Sequence, residues 1–206
     1  MPTDVSPPRP VVVPYDPAWR PQATALLTEL RSALGPLGLR AEHIGSTSIP
    51  GMDAKPILDL QLSVGDLDAA AEAFGRALGE RGFERLPYER DHVPAGREDD
   101  PGRWVKRYWR RRGHPGHLDV NLHVRLAGSP NERLALLFRD WFRAHPEAVP
   151  AYARFKRVLA GSVADLDAYV DVKDPVVDLV VEVAESWAGA TGWTVGPRRA
   201  GGGRAR

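Results

Sequence analysis

The chain contains no cysteine, which excludes disulfides and thiolate metal sites and is compatible with a reducing compartment. No apolar run approaches the roughly 20 residues of a membrane-spanning helix. Neither sign of charge dominates. The 28 Lys and Arg against 27 Asp and Glu leave a formal net charge of +1, so bulk electrostatics point to neither nucleic acid nor membrane. There is no HExxH motif and no internal repeat, and the opening MPTDVSPPRP has no apolar signal-peptide region. The expectation from these absences is a soluble cytoplasmic protein. What is present, 206 residues of which 43% are hydrophobic and 27% charged, suffices for one domain with a real core, or one domain with a helical extension.

The most informative stretch is His43 to Val64, HIGSTSIPGMDAKPILDLQLSV. It begins at the end of one apolar-polar run, passes through a loop of small residues closing at Pro50-Gly51, and continues as a strand from Ile57 to Val64. Strand alternation puts Asp59, Gln61 and Ser63 on one face and Leu58, Leu60, Leu62 and Val64 on the other. Gly45 lets the backbone approach a ligand, the Ser46 and Thr47 N–H groups can point at phosphate oxygens, and Lys55 is a compact cation nearby. Asp59 is a hard oxygen donor of the kind Mg²⁺ prefers. The plainer reading is a strand, a tight loop and a strand with an ordinary edge carboxylate, because short Gly-Ser motifs are weakly specific.

Elsewhere, residues 1–10 are expected to be disordered and 196–206 to form a flexible basic tail. A helix is expected from Pro17 to about Leu34, with Asp16 as its cap and Trp19 in the core, and a second is capped by Asp66. Phe83 to Val93 reads as a strand, and Pro94 to Gly102 as a loop. Arg103 to Arg112, RWVKRYWRRR, reads as a strand with Arg107 and Trp109 on one face and Lys106, Tyr108 and Arg110 on the other. In His117 to Leu126, His117, Asp119, Asn121, His123 and Arg125 share a face rich in acid/base groups. Ser129-Pro130-Asn131-Glu132 reads as a capping box opening a helix to about Ala144. Another helix follows to Ala160, and Asp174-Pro175 reads as the start of a last one. Arg139, Asp140, Lys156 and Lys173 are each open to two readings, exposed surface charge or substrate contact.

The GSTSIPGMDAKPILD segment resembles the signature of the GrpB family, G-S-T-[SA]-[VI]-x-G-x-x-[AS]-K-x-x-[IVL]-D. The resemblance continues through NLHVR (Asn121 to Arg125), LLFRDWFRAHPE (Leu136 to Glu147) and YARFK (Tyr152 to Lys156), so it covers roughly Val11 to Trp187. It implies a nucleotidyltransferase-like fold, and GrpB-like domains also occur fused to dephospho-CoA kinase. The expected fold class is therefore α+β. Residues 11–127 would form a nucleotidyltransferase-like mixed sheet core flanked by helices, and residues 128–190 a helical segment packed on it.

Two functional expectations follow. In the first, a Mg²⁺-dependent nucleotidyl- or phosphoryl-transfer enzyme, Asp59 and Asp119 hold the metal with Gln61 in the shell, Gly45, Ser46, Thr47 and Asn121 bind the nucleotide, Lys55 and Arg107 neutralise phosphate charge, and His123 is the general base. The family's superfamily places two carboxylates two apart on the metal-binding strand, and here the second is Gln61, an uncharged amide. The second expectation is accordingly an inactive module that binds a nucleotide or a coenzyme A-like ligand. A nucleic-acid binder using Arg103 to Arg112 ranks third.

Overall fold

The computed structural model describes residues 9–196, so the expectations for the disordered N-terminus and the basic tail lie, but for their innermost residues, outside the described residues. Five strands form one mixed sheet: β1 (Gly38–Ile44), β2 (Ile57–Val64), β3 (Phe83–Leu86), β4 (Lys106–Arg111) and β5 (Asp119–Leu126), in the order β1-β2-β5-β4-β3. The central β2–β5 pair is parallel and the other pairs are antiparallel. The α+β expectation holds. The strand expected from Phe83 to Val93 stops at Leu86, beyond which Arg90 makes only a single bridge to Val105.

Directly paired residues share a face of a sheet, so the register sorts the side chains. Leu58, Leu60, Leu62 and Val64 of β2 join Val120, Leu122, Val124 and Trp109 on an apolar face. Helix α1 (Trp19–Leu34) and helix α2 (Leu67–Gly79) cover it. Helix α1 buries Trp19, Ala23, Leu26, Leu27, Leu30 and Leu34, a stripe at helical spacing. Asp66 caps α2 by accepting from the N–H groups of Asp68 and Ala69.

The opposite face carries Glu42, Asp59, Gln61, Ser63, Asn121, His123, Arg125, Lys106, Tyr108 and Arg110. It is polar, yet helix α3 (Pro130–Ala144) lies across part of it. Each charge buried there finds a partner. Asp91, from the loop before β4, accepts from Lys106 Nζ at 2.7 Å, Arg125 Nε at 2.8 Å and Asn131 Nδ2 at 2.9 Å. Arg125 also donates to Gln61 Oε1, while Gln61 Nε2 donates to the Glu132 carbonyl at 3.3 Å. Ser129 caps α3 as expected, but Glu132 does not close the capping box: its carboxylate receives Arg40 at 2.6 Å and the Gly128 N–H.

Helices α4 (Val149–Ser162) and α5 (Leu166–Thr191) pack beside α3 around Phe138, Phe142, Tyr152 and Val181. The last helix begins a full turn or more before the expected Asp174-Pro175 start, because Asp165 caps it by accepting from the Ala168 N–H. Pro175 therefore lies inside α5, where it removes one backbone donor. Among the described residues no helix is long and apolar enough to cross a membrane.

The Asp91 cluster should carry much of the cohesion between sheet and α3. Burial alone would raise the Asp91 pKa, but Arg125 and then Lys106 hold it far below the usual carboxylate range. The folded-state pKa is depressed, so the stability it contributes is complete above about pH 4 and is lost as pH falls below that. Asp91→Ala leaves two buried cations unpaired and should cost about 3–5 kcal/mol in urea unfolding. An unchanged urea midpoint would show that the cluster is not what holds α3 down.

Candidate anion-binding site

The first residues of β2 bring Asp59 onto the polar face opposite Ile44, the last residue of β1. Gly45, which follows β1, has φ +67° and lies directly against it. A Cβ at position 45 would stand 2.5 Å from Asp59 Oδ2. The space expected to admit a ligand is thus filled by the Asp59 carboxylate, and Gly45 is required for that approach. Ser46–Ser48 form a single tight turn. Thr47 is buried, donating its hydroxyl to the Ile57 carbonyl at 3.2 Å and accepting from His43 Nε2 at 2.9 Å. Ser48 donates back to the Gly45 carbonyl at 2.6 Å. The Thr47 side chain therefore serves the turn, and Ser46 is left as the half-exposed hydroxyl of the loop.

Asn121, directly across from Asp59 on β5, donates to Asp59 Oδ1 at 2.9 Å. His123 Nε2 lies 3.8 Å from the same oxygen, too far for a hydrogen bond but close enough to act electrostatically. Burial pulls the Asp59 pKa up, and His123, Asn121 and Lys55 together bring it below the ordinary value. The His123 pKa is itself lowered, by burial and by Arg125. A pKa below its ordinary value leaves the ring neutral at pH 7. Arg125 can only donate, and it reaches His123 Nδ1 at 3.4 Å. The ring proton accordingly sits on Nε2, facing Asp59, which is the wrong tautomer for the general base expected from the sequence.

Other expected ligands are drawn elsewhere. Asp119 pairs with Ile57, two residues short of Asn121, and accepts from Arg110 at 2.6 Å and the Gly113 N–H at 2.7 Å. Both amide atoms of Gln61 are committed inside the fold. Arg107 points to the opposite face and pairs with Asp68 beside α2. On the site face of β4 the arginine is Arg110, and Tyr108 packs against His123 with ring centroids 5.0 Å apart.

What gathers around Asp59 instead is positive charge. Lys55 and Lys156 each feel Asp59 and Lys173 of α5, and Lys156 also feels Lys55. Lys156 is 2% exposed, and its Nζ has no hydrogen-bond partner among the described residues. Its nearest polar compensation is the Tyr152 ring, 5.1 Å from Nζ to the centroid. Burial first, and then Lys173, lower its pKa to about 7. Burial likewise lowers Lys55, whose Nζ lies 5.1 Å from the Tyr169 ring centroid. Of the two readings open for Lys156 from the sequence, exposed surface charge is overturned. Lys173 is only one-quarter exposed and pairs with Asp174 at 3.0 Å.

Mg²⁺ usually keeps several waters and is held through one or two carboxylates, and of the two expected from the sequence Asp119 is taken by Arg110. Asp59 stands without a second carboxylate, and among the described residues no group of three His, Cys, Asp or Glu could hold a metal ion. The cluster of lysines suits an anion.

The sequence profile described as GrpB protein matches residues 9–183. The chain belongs to the GrpB family. A solved member, the conserved protein GrpB from Enterococcus faecalis, superposes with a TM-score of 0.69 at 27% identity, covering 86% of this chain and 99% of that one. The chain is 33% identical over 174 residues to UPF0157 protein BH1888 of Halalkalibacterium halodurans, covering 84% of this chain and 80% of that protein. It is also 37% identical over 199 residues to a protein named dephospho-CoA kinase from Mycolicibacterium paratuberculosis, covering 88% of this chain and 47% of that protein. The chain thus spans about half the length of the dephospho-CoA kinases it matches.

Sequence reasoning missed Tyr108 and Arg110 by choosing the other face of β4, and did not select Lys156. The Y-x-x-x-K spacing of Tyr152 and Lys156 within a helix, which stacks one over the other, was the available signal.

Two outcomes test this geometry. Gly45→Ala should cost about 1–2 kcal/mol from the left-handed backbone alone, and more from collision with Asp59. In a urea-denaturation cycle Gly45→Ala and Asp59→Ala should be less than additive, since removing the carboxylate relieves the clash; strict additivity would refute the contact. Lys156→Met should stabilise the protein by about 1–3 kcal/mol at pH 9, by removing a buried amine without a partner. The parent should also gain stability as pH rises from about 7 toward 10, because the unfolded chain there holds a proton the folded one has released. That rise should flatten in the variant.

Proposed function

We propose that this GrpB protein binds a phosphate-bearing small molecule, a nucleotide or a coenzyme A-like compound, between the Asp59 strand and the lysines of α4 and α5, without requiring a metal ion. The observation that supports this reading is Lys156: a buried amine with no hydrogen-bond partner among the described residues, in a cluster with Lys55 and Lys173. A buried cation without an anion is costly. A phosphate group entering the cluster would give each ammonium a charge-assisted partner and restore the proton that burial drives off Lys156. Asp59 opposes the lowering of the Lys55 pKa by burial, and its Oδ1 is oriented by Asn121. Ser46 and Arg110 are the further donors on the open side. The relatives named dephospho-CoA kinase support the coenzyme A-like end of this ligand range.

The test is calorimetric titration with ATP, coenzyme A and dephospho-coenzyme A, each in EDTA and in Mg²⁺. At least one should bind in EDTA, with an apparent enthalpy at pH 8 that changes with the buffer's ionisation enthalpy, because Lys156 takes up a proton on binding. Lys156→Met should weaken it at least 10-fold, equivalent to about 1.4 kcal/mol. Binding that appears only with Mg²⁺, or pyrophosphate release that Asp59→Asn abolishes, would replace this reading with metal-dependent nucleotidyl transfer.

A further inference from the structure

A second concentration of positive charge lies behind the Gly45–Ser48 turn, on the α1 side. It is a cleft of about 190 Å³ lined by Arg20 and Arg31 of α1, Glu42 and His43 of β1, and Arg139 and Arg143 of α3. Three of the arginines already have fixed places. Arg31 donates to the Ala41 carbonyl. Arg139 donates to Glu42 at 2.8 Å, to the His43 carbonyl at 3.0 Å and to its neighbour Asp140 at 2.7 Å. Arg143 holds the Ser48 carbonyl through Nη2 at 2.8 Å and Nε at 3.2 Å. These bonds fix the guanidiniums around the cleft; Arg139 is ion-paired with Glu42 and Asp140, whereas the carbonyl bonds of Arg31 and Arg143 orient those two without neutralising them. Four arginines face Glu42 and Asp140, so two positive charges are left over. His43 adds none, since burial and the adjoining Arg143 and Arg139 lower its pKa to about 4. Burial, followed by Arg139, likewise lowers the Arg143 pKa.

We propose that this cleft is a second anion site, distinct from the lysine cluster, that takes a single phosphate group between Arg20, Arg31 and Arg143. Its size excludes a nucleoside and suits one tetrahedral oxyanion. Planar guanidiniums already held by carbonyl bonds are pre-organised for two-point contact with phosphate oxygens, which lysines are not. Arg20 is exposed and is the one lining arginine whose side chain makes no hydrogen bond among the described residues, so it is free to close over the ion. The phosphate can be free or can be the end of a larger phosphomonoester whose remainder stays in solvent.

The experiment is equilibrium dialysis of the full chain with radiolabelled inorganic phosphate. The parent should bind at two sites. Arg20→Gln, on the helix surface and neutral for folding, should weaken one of them at least tenfold and leave the other. Lys156→Met should do the reverse. If Arg20→Gln and Arg20→Gln/Arg31→Gln both bind as the parent does, the cleft is not an anion site. If Lys156→Met removes all phosphate binding, the cleft proposal fails while the lysine-cluster reading stands. A single site lost only in Arg20→Gln would uphold the cleft and remove the lysine cluster. In the Lys156→Met variant, displacement of label by AMP as effectively as by phosphate supports a phosphomonoester occupant. Displacement by phosphate alone supports the free ion.

Discussion

A sheet that is polar on one face and yet covered by a helix must pair every charge it hides. Arg125 meets that requirement here. Its guanidinium joins Asp91, Gln61 and His123, and through Asp91 it is tied to Lys106 and to Asn131 of α3. Each of these groups would be expensive alone in a dehydrated interface. Together they let α3 dock on carboxylates and cations in place of the leucines and valines that bind α1 and α2 to the other face. The chain has effectively two interfaces of different chemistry on one sheet, and the polar one admits helices only in an orientation that matches the charges.

That pairing is uneven, and the proposed anion site rests on the unevenness. Toward the Ser63 and Arg125 end of the polar face, charge is met by charge. Toward Asp59 the balance tips, because Lys55 and Lys156 both feel a single carboxylate that Asn121 already engages, and Lys173, itself paired with Asp174, adds further positive charge beside them. A fold selected only for stability would not bury Lys156 in this way. The same logic applies on the far side of the Gly-Ser turn, where Arg31 and Arg143 are oriented by backbone carbonyls that fix them without cancelling them. The turn is thus held from one side by arginines and faces lysines on the other.

Much of the fold was legible from alternation and capping. The apolar runs of β2 and β5, the α1 stripe and the Asp66 and Ser129 caps all sit where the residue pattern places them. The candidate site was legible only in part. Asp59, Lys55, Asn121 and His123 could be grouped because two strands each present a clean polar face. Choosing Arg107 over Arg110 failed because alternation divides a strand into two faces without saying which meets its neighbour's; only the Tyr108–His123 register does that. Asp119 seemed a metal partner because it lies on the right face, but it sits one pleat away from the position opposite Asp59 and is held by Arg110. Lys156 stayed open between surface charge and substrate contact because a lysine on an amphipathic helix ordinarily reaches solvent, and only tertiary packing shows that this one cannot. The Asp174-Pro175 pair imitates a helix start so well that the earlier cap at Asp165, which has no proline behind it, was overlooked.

Pro175 gives α5 two mechanical halves. The half after it is anchored: Asp178 receives His92 and the Ala95 N–H, Glu185 receives Arg97 and Arg133, and Val181 and Ala184 are wholly buried. The half before it carries Tyr169 and Lys173, one wall of the lysine cluster. Proline cancels the backbone bond that would run from position 175 back to the carbonyl of Asp171, so the rod is weakest between wall and anchor. Both sides of the joint are seated, Tyr169 with Leu159 and Ala160 before it and Val181 with Phe138 and Phe142 after it, so the lost backbone bond falls at the seam between two packing clusters that one helix joins.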